Sequence, residues 1–500
     1  MSSTVPIPLP VPSRNEPRIL FITPEVFPLC KTGGLGDVSA SLPAALRALR
    51  MDVRLLIPGY PQVLTGLKPK RKVAVFEHLK YFPPCVLRAA KLPVNDSSSI
   101  PVFIIDCPEL YSREGGPYQD PAGQDWPDNA WRFGLLGKIG AILGSDASPL
   151  KWQPHIVHCN DWQSGLTPAY LHFHPGRKAA SVMTIHNLAF QGNFPPENVA
   201  RLGLPASSYD MHGIEFHGRM SFLKAGLYYA EHITTVSPNY AREIQSEPLG
   251  FGLQGLLSAR REQLTGIING IDETLWNPAR DPYIVSHYSH TDLSAKAINK
   301  RVLQETMALA LDDTVPLFAA ISRITHQKGF DLLQQVAPQL VKIPVQLVIL
   351  GSGNAEMEKS LTALAQAYPG KIAVHIGYTE ALSHLIEAGA DCFLMPSRFE
   401  PCGLNQMYSQ QYGTLPLVHA TGGLVDTVVD CTPATLNDGS ATGFVFHLMT
   451  AEQLLATIRR AVELFKDTAT WRTLQQNGMA KDFSWRISAA AYRRIYRMLA

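Results

Sequence analysis

Short apolar, β-rich segments alternate with longer helical patterns along almost the whole chain. In the first half they lie at residues 18–23, 53–57, 102–106, 155–159, 181–185 and 232–236, and in the second half at residues 317–321, 345–350, 372–376, 391–395, 415–419 and 443–446. Segments that are apolar throughout are typical of parallel strands covered by helices on both faces. They are too many for one ordinary doubly wound sheet, so the pattern predicts two α/β domains.

The chain length agrees with two domains, because its 500 residues exceed the roughly 250–300 residues that one core usually serves. An Asn-Gly turn at Asn269-Gly270 follows the helical pattern of residues 253–263 and marks a boundary. We predict a first domain at residues 18–265 and a second at residues 266–480. Residues 481–500 are predicted to form one amphipathic helix.

Composition and charge exclude several classes of protein. A net charge of +2, without a long basic run, argues against nucleic-acid binding. No apolar run reaches the length of a membrane span, and the Pro- and Ser-rich residues 1–17 lack the pattern of a secretory signal, so they are predicted to be a disordered leader. The seven cysteines form no C-x-x-C pair, which favours a reducing compartment and a cytoplasmic location. The oligomeric state stays open.

Polar and glycine residues collect directly after the predicted strands. These segments are residues 23–25, 31–37, 160–162, 186–187, 322–329, 351–353, 396–403 and 421–423. Ligands of open parallel sheets bind outside the carboxyl ends of the strands. The sequence therefore predicts an active-site cleft between the polar edges of two sheets.

Two glycine-containing loops are candidates for phosphate binding. Residues 31–34 (KTGG) and 421–423 (TGG) each precede a predicted helix, where free N–H groups and the helix dipole attract anions. The first loop is not a Walker A motif, because its lysine precedes the glycines. Ordinary strand–helix turns remain the alternative interpretation of both loops.

Three charged residues of the second half suggest a role in binding a phosphorylated sugar. Arg323 and Lys328 follow one predicted strand, and two cations at a strand end can neutralise a leaving diphosphate. Glu400 follows another strand and can accept hydrogen bonds from sugar hydroxyls. The alternatives are a solvated basic turn and a carboxylate that compensates a helix dipole.

Other motifs are weaker. Residues 351–353 (GSG) lack the third glycine of a dinucleotide fingerprint, which favours a structural turn. His155, His158, His172 and His174 cross a strand and a helix without a matching carboxylate, so we expect no metal site. The absence of a G-x-S-x-G elbow argues against a serine hydrolase.

Eight motifs, taken in order along the chain, closely resemble those of bacterial glycogen synthases and plant starch synthases, glycosyltransferase family 5. They are residues 31–37, 158–162, 184–192, 221–229, 269–272, 322–329, 396–404 and 421–424. The resemblance extends from residue 18 to the C-terminus and implies a GT-B fold, with two Rossmann-like domains, an active site between them and a C-terminal helix that crosses back to the first domain. Gly36 and Asn405 depart from some members, and residues 1–17 have no counterpart.

The resemblance also implies roles for individual residues. The positions that match donor-binding residues are Lys31, Gly33, Gly34, Asn269, Arg323, Lys328, Tyr378, Glu400, Cys402, Gly403, Thr421, Gly422 and Gly423. Those that match acceptor-side residues are Glu25, Tyr118 and Asp161. The expected catalytic set is Lys31, Asp161, His186, Arg323, Lys328 and Glu400. Tyr378 is expected to stack on adenine, and the main-chain carbonyl of His186 to lie near the anomeric carbon.

The implied reaction transfers glucose from ADP-glucose to the non-reducing end of an α-1,4-glucan, such as glycogen or a maltooligosaccharide, with retention and without a metal or other cofactor. Retention can arise by double displacement through a carboxylate or by a front-face route that the leaving phosphate assists. The alternatives are a related enzyme that uses UDP-glucose or a small acceptor, a catalytically silent glucan-binding protein, and an NAD-dependent oxidoreductase.

Overall fold

The computed structural model describes residues 11–95 and 98–500, which divide into two compact units. The first unit comprises the described residues up to Gly270 together with Trp485–Ala500, and the second unit comprises Ile271–Ser484. These divisions lie shortly after the predicted boundaries at residues 265 and 480.

The first unit contains a large mixed sheet in the order β12-β11-β7-β6-β1-β2-β5-β4-β3 and a small antiparallel sheet in the order β8-β10-β9. Its strands are β1 Arg18–Ile22, β2 Asp52–Pro58, β3 Arg71–Phe76, β4 Cys85–Asn95, β5 Ser98–Asp106, β6 Ile156–Asn160, β7 Ala180–Ile185, β8 Asn193–Phe194, β9 Glu215–Phe216, β10 Arg219–Ser221, β11 His232–Thr235 and β12 Leu264–Gly266. The large sheet is parallel except that β4 runs antiparallel to β3 and β5. The predicted parallel arrangement therefore holds from β12 to β5, and β4 and β3 add an antiparallel edge that the sequence did not predict.

Helices cover the strands of the first unit. They are α1 Gly34–Ala48, α2 Pro61–Leu67, α3 Pro108–Tyr111, α4 Asn129–Leu143, α5 Asp161–Ser164, α6 Leu166–His172, α7 Asn198–Arg201, α8 Phe222–Tyr229, α9 Pro238–Glu243 and α10 Gln254–Ala259. In α1 the residues Leu35, Val38, Leu42 and Leu46 recur at helical spacing and are buried, which fixes the helix against the sheet. The N-terminus of α1 follows the loop that leaves β1.

The second unit contains a parallel sheet in the order β15-β14-β13-β16-β17-β18. Its elements are α11 Lys296–Thr306, β13 Leu317–Ile321, α12 Phe330–Leu340, β14 Gln346–Gly351, α13 Ala355–Ala367, β15 Ile372–Ile376, α14 Glu380–Gly389, β16 Cys392–Met395, α15 Asn405–Gln411, β17 Leu415–His419, α16 Gly422–Thr427, α17 Pro433–Asn437, β18 Phe444–Phe446, α18 Ala451–Phe465 and α19 Thr468–Met479. Counted from β13, this is the strand order of a doubly wound Rossmann sheet. Each of the predicted strand segments of both units overlaps an observed strand.

The last helix, α20 Trp485–Leu499, belongs to the first unit and packs against α1. It begins four residues later than the predicted start at residue 481. The Tyr496 hydroxyl lies 2.6 Å from Nδ1 of His158 on β6, so the helix is tied to the centre of the sheet. The helix therefore returns the end of the chain to the unit in which the chain began.

The predicted leader lies partly outside the described residues, which begin at Val11. Within the described part, the prediction of disorder is wrong at Glu16, whose side chain is only 4% exposed. Arg493 and Arg497 of α20 both donate hydrogen bonds to its carboxylate. The ion pairs hold this segment on the C-terminal helix.

Candidate active site

Each unit presents its polar loops at the point where the strand order reverses. In the second unit β13 lies between β14 and β16, and in the first unit β1 lies between β2 and β6. Such switch points open a crevice at the carboxyl ends of the strands, where ligands of doubly wound sheets bind. The loops at residues 322–329 and 396–404 leave β13 and β16, and the loop at residues 23–33 leaves β1.

A lysine and a carboxylate meet at the switch point of the second unit. Lys328 Nζ lies 2.6 Å from Oε2 of Glu400, and the Ser397 hydroxyl donates to the same oxygen over 3.0 Å. The side chains of Lys328 and Glu400 are 18% and 8% exposed. Arg323 lies exposed on the same loop as Lys328. The structure thus brings Lys328 and Glu400 together, as expected for neighbouring site residues.

The glycine loop at residues 421–423 packs directly on the loop that carries Glu400. The Gly423 N–H donates to the Glu400 carbonyl oxygen over 3.0 Å, and a Cβ on Gly422, whose φ is +48°, would lie 1.9 Å from that oxygen. A Cβ on Gly423 would lie 2.2 Å from the carbonyl oxygen of Cys402. These glycines are therefore required by backbone contact between two loops, a reason that the sequence did not reveal. Thr421 and Cys402 are buried at this contact.

Two further predicted donor positions lie on loops of the second unit. Gly403 has a φ of +72°, in the left-handed region that favours glycine. Tyr378 follows β15 and is 56% exposed, and its hydroxyl donates to Oε2 of Glu380 over 2.8 Å. An aromatic ring at a strand end can stack on a base.

The Gly351-Ser352-Gly353 segment is a structural turn, as the sequence predicted. A Cβ on Gly351 would lie 1.9 Å from the Ser322 carbonyl oxygen, and one on Gly353 would lie 2.4 Å from the Ile324 carbonyl oxygen. Both glycines therefore support the loop that carries Arg323 and Lys328.

In the first unit a buried carboxylate anchors the Lys31 loop. The Thr32 N–H and hydroxyl each donate to the Glu25 carboxylate over 2.6 Å, and the Tyr118 hydroxyl donates to it as well. Glu25 is 3% exposed. Desolvation and the negative charge of Glu25 raise the pKa of Tyr118 well above its ordinary value, so the phenol remains a donor. The predicted acceptor residues Glu25 and Tyr118 thus meet beside the loop.

The Lys31 loop leads into the N-terminus of α1. Lys31 Nζ lies 2.8 Å from the Asp37 carboxylate in the first turn of the helix. Gly33 has an extended backbone and nothing lies within 4 Å of its ideal Cβ position, while Gly34 begins the helix. The protein itself does not need glycine at residue 33, which is consistent with close approach by a ligand.

Asp161 and His186 form a second cluster at the same sheet edge. The Asp161 Oδ1 accepts the His186 N–H over 2.7 Å, and burial raises the pKa of Asp161 to about 7. Desolvation lowers the pKa of His186 to about 3, so the ring is neutral. Asn160 donates to the Ile22 carbonyl, so its Oδ1, 3.0 Å away, accepts from Nε2 of His186. The ring therefore carries its proton on Nε2 and leaves Nδ1 as an acceptor.

Asn160 orients His186, but the sequence interpretation assigned it no role. The signal was its place at the end of β6, where a polar side chain reaches the switch point.

Asn269, which is a predicted donor-binding residue, lies at the end of the first unit and is 5% exposed. Within the described residues its Oδ1 is buried and has no hydrogen-bond partner, which favours a ligand donor there.

The histidines considered for a metal site serve other contacts. His158 lies 2.6 Å from the Thr184 hydroxyl, and His174 lies 2.6 Å from Asp146. Across residues 11–95 and 98–500, no group of three His, Cys, Asp or Glu side chains is arranged to hold a metal ion. In the same part of the chain, no helix has both the length and the apolar character needed to cross a bilayer.

Comparison with known proteins identifies the family. Residues 18–259 match the starch synthase catalytic domain, and residues 304–474 match the glycosyl transferases group 1 family. The glycogen synthase of Nitrosomonas eutropha is 66% identical over 97% of this chain and 97% of its own length. That of Nitrosomonas europaea is 65% identical over 98% of this chain and 99% of its own length. This chain belongs to the glycogen and starch synthase family.

Solved structures show the fold of this family. The catalytic domain of starch synthase IV from Arabidopsis thaliana, bound to ADP and acarbose, is 29% identical, with a TM-score of 0.84 over 97% of this chain and 99% of that one. Sucrose-phosphate synthase from Thermosynechococcus elongatus shares the fold at 19% identity, with a TM-score of 0.58 over 97% of this chain and 99% of that one. The chain is a glycosyltransferase with a GT-B fold. The predictions of fold, family and glycogen synthase function are confirmed, and the roles of single residues stay predictions.

Proposed function

We propose that this member of the family transfers glucose from ADP-glucose to the non-reducing end of an α-1,4-glucan, with retention of configuration. The observation that carries the proposal is the ion pair between Lys328 and Glu400 at the switch point of the second unit, in which Nζ lies 2.6 Å from Oε2. A cation beside a carboxylate can bind both ends of a sugar diphosphate. In this proposal Lys328 binds the phosphate and Glu400 accepts hydrogen bonds from the glucose hydroxyls. The starch synthase IV structure, which is bound to ADP, supports adenine as the base.

The other donor contacts of the second unit follow from its loops. Arg323 supplies a second cation for the diphosphate. The loop of Thr421, Gly422 and Gly423 lies beside Glu400 at the start of helix α16, where the positive end of the helix dipole favours a bound phosphate. Cys402 and Gly403 shape the glucose-recognition loop, and exposed Tyr378 stacks on the base.

The first unit supplies donor and acceptor contacts in the same proposal. Lys31 and the helix N-terminus after Gly33 and Gly34 bind phosphate or glucose. The unpartnered Oδ1 of Asn269 accepts a hydrogen bond from a glucose hydroxyl. The neutral His186 lies beside the sugar.

The environment of the carboxylates favours the front-face route to retention. Double displacement needs a carboxylate that attacks the anomeric carbon. Glu25 accepts from Thr32 and Tyr118, Asp161 accepts from His186, and Glu400 is paired with Lys328. Carboxylates held in this way position neighbouring groups, and charge stabilisation by the cations accounts for the chemistry. In this proposal Glu25, Tyr118 and Asp161 contribute to the acceptor side.

We also propose that the enzyme needs no metal or other cofactor and works in the cytoplasm. Protein cations take the role that a divalent metal plays at the diphosphate in other enzymes. The seven cysteines are buried free thiols, which is consistent with a reducing compartment. Glycogen and maltooligosaccharides are the proposed partners.

One assay tests the proposal. Release of nucleoside diphosphate and incorporation of glucose are measured with ADP-glucose or UDP-glucose, and with glycogen or maltose as acceptor. We expect the highest kcat/KM with ADP-glucose and glycogen, with undiminished activity after treatment with EDTA. Preference for UDP-glucose or maltose would favour the related enzyme, and no turnover with any donor would favour a glucan-binding protein. Loss of activity with EDTA would contradict the metal-free mechanism.

A further inference from the structure

The two loops that carry Lys328 and Glu400 touch at the level of the backbone. Gly329 has a φ of +74°, and a Cβ there would lie 1.9 Å from the Pro396 carbonyl oxygen. Lys328 directly precedes this contact, so its position depends on the register of one loop against the other. The ion pair between Lys328 and Glu400 does not by itself fix that register. In the proposed function both side chains bind the substrate, so a further contact is needed to hold the two loops together.

Arg398 joins the same two loops from outside this pair. Its guanidinium donates to both oxygens of Asp331, over 2.7 and 2.6 Å, and to the His326 carbonyl over 2.5 Å. Its backbone N–H donates to the Gln327 carbonyl over 2.8 Å. One residue thus makes four hydrogen bonds to the segment on either side of Lys328, and Asp331 is the second residue of α12.

The chemistry of the contact suits a fixed geometry. A planar guanidinium bound to both oxygens of a carboxylate fixes direction as well as distance, which a lysine cannot do. The hydrogen bond from Arg398 holds the pKa of Asp331 below its ordinary value, so the pair stays charged at neutral pH. The Arg398 and Asp331 side chains are 38% and 18% exposed.

We propose that Arg398 is a positioning residue, which sets the register of the loop at residues 326–329 against the loop at residues 396–400 and so presents Lys328 and Glu400 together to the donor. This inference rests on the proposed donor function of Lys328 and Glu400. The Arg398 guanidinium is engaged by Asp331 and by the His326 carbonyl, so in this proposal it acts on the donor only through the position of the loop. Its loss therefore acts on donor use and leaves acceptor affinity unchanged.

The test compares Arg398→Ala, Arg398→Lys and Asp331→Asn with a matched control. The control is Arg460→Ala, because Arg460 forms a similar two-oxygen pair with Asp430 in the same unit, with side chains 41% and 24% exposed. Kinetics are measured with ADP-glucose and glycogen, together with the thermal unfolding midpoint of every variant. A purely structural role would lower the midpoint without changing kcat/KM per folded molecule.

We expect Arg398→Ala to lower kcat/KM for ADP-glucose about 10- to 100-fold, the effect of a displacement of about 1 Å in reacting groups, with an unchanged KM for glycogen. Arg398→Lys and Asp331→Asn should also lower kcat/KM for ADP-glucose. The double variant Arg398→Ala/Asp331→Asn should have the same kcat/KM as Arg398→Ala alone, because the two residues act through one contact. Added guanidinium chloride should partly restore Arg398→Ala, whereas sodium chloride at the same concentration should not. Arg460→Ala should retain wild-type kcat/KM.

Wild-type kcat/KM in Arg398→Ala, or an equal loss in Arg460→Ala, would overturn the proposal. If Arg398→Ala is too unstable to assay, Arg398→Lys decides in the same way. Lys328→Ala, measured in parallel, distinguishes failure of the positioning role of Arg398 from failure of the proposed donor site. A severe loss in Lys328→Ala with normal Arg398 variants refutes only the positioning role, whereas wild-type activity in Lys328→Ala refutes the donor site and the positioning role together.

Discussion

Lys328 is the cation on which the proposed donor site depends most. Its side chain is 18% exposed and is paired with Glu400, whose side chain is 8% exposed. In such an environment a charge interacts more strongly with a second charge than it does at an open surface. The Ser397 hydroxyl, 3.0 Å from the same carboxylate oxygen, also helps to hold Glu400 in place.

Lys328→Ala and Arg323→Ala should each lower kcat by at least about 10²-fold, because each removes a cation that stabilises the negative charge developing on the leaving diphosphate. The loss should be greater for Lys328, which is the less exposed of the two. Turnover with saturating ADP-glucose and glycogen measures the effect, with Arg460→Ala as the control. Wild-type turnover in both variants would rule out this role.

The sequence identified the residue types of the site but not how they are held. Lys328 and Glu400 were recognisable because they lie in polar loops that follow predicted strands and because they match a family motif. The glycines of residues 422 and 423 were recognised as a loop signal, but the backbone contact with Glu400 and Cys402 depends on two segments that folding brings together. The proton position on His186 likewise depends on Asn160 and on a carbonyl of another strand.

At the level of elements, helix α20 contacts the sheet of the first unit on one side and the N-terminal segment on the other. Tyr492 and Tyr496 are buried against the sheet, and Arg493 and Arg497, four residues apart, share Glu16. The N-terminal segment therefore lies against the charged side of the predicted amphipathic helix. The long sequence separation explains why this contact was not predicted.

Glu16→Gln should lower the free energy of unfolding by about 1–3 kcal/mol at pH 7, because hydrogen bonds to charged groups are lost. The Arg493 hydrogen bonds hold the pKa of Glu16 below its ordinary value of 4.5. The contribution is therefore complete above pH 4.5 and is lost as the pH falls through the lower pKa of the folded state. Urea unfolding at pH 7 and pH 4 measures the difference between wild type and variant, which should be smaller at pH 4.

Glu463→Gln is the matched control for this change, because Glu463 pairs with Lys466 where both side chains are more than 60% exposed. It should change the free energy of unfolding by less than about 0.5 kcal/mol. An equal effect of the two substitutions would show that Glu16 contributes no more than a surface charge.

The strands show where an apolar pattern succeeds and where it fails. Strands β1, β6 and β13 are buried along almost their whole length, so their continuous apolar runs were found. The antiparallel strands β3 and β4 carry exposed and partly buried residues and were missed. A search for continuous apolar runs detects strands covered on both faces and overlooks strands at the edge of a mixed sheet.

At the scale of the whole molecule, the proposed donor residues are distributed over both units. Lys31, His186 and Asn269 belong to the first unit, and Lys328 and Glu400 belong to the second. The chain passes into the second unit after Gly270 and returns at Trp485, and a Cβ on Gly270 would lie 2.6 Å from the Trp485 nitrogen. The proposed function therefore assigns donor contacts to residues of both units.

ADP should stabilise the full chain, and substitution in either unit should weaken that effect. A ligand that binds only the folded state adds about 2.7 kcal/mol at a concentration 100 times its Kd. We expect ADP to raise the thermal unfolding midpoint of the wild type and of Arg460→Ala to a similar extent. Lys31→Ala and Lys328→Ala should each need more ADP for the same rise, because each loses a charge that binds phosphate. A wild-type ADP response in Lys31→Ala would assign diphosphate binding to the second unit alone, and the same response in Lys328→Ala would remove Lys328 from the donor site.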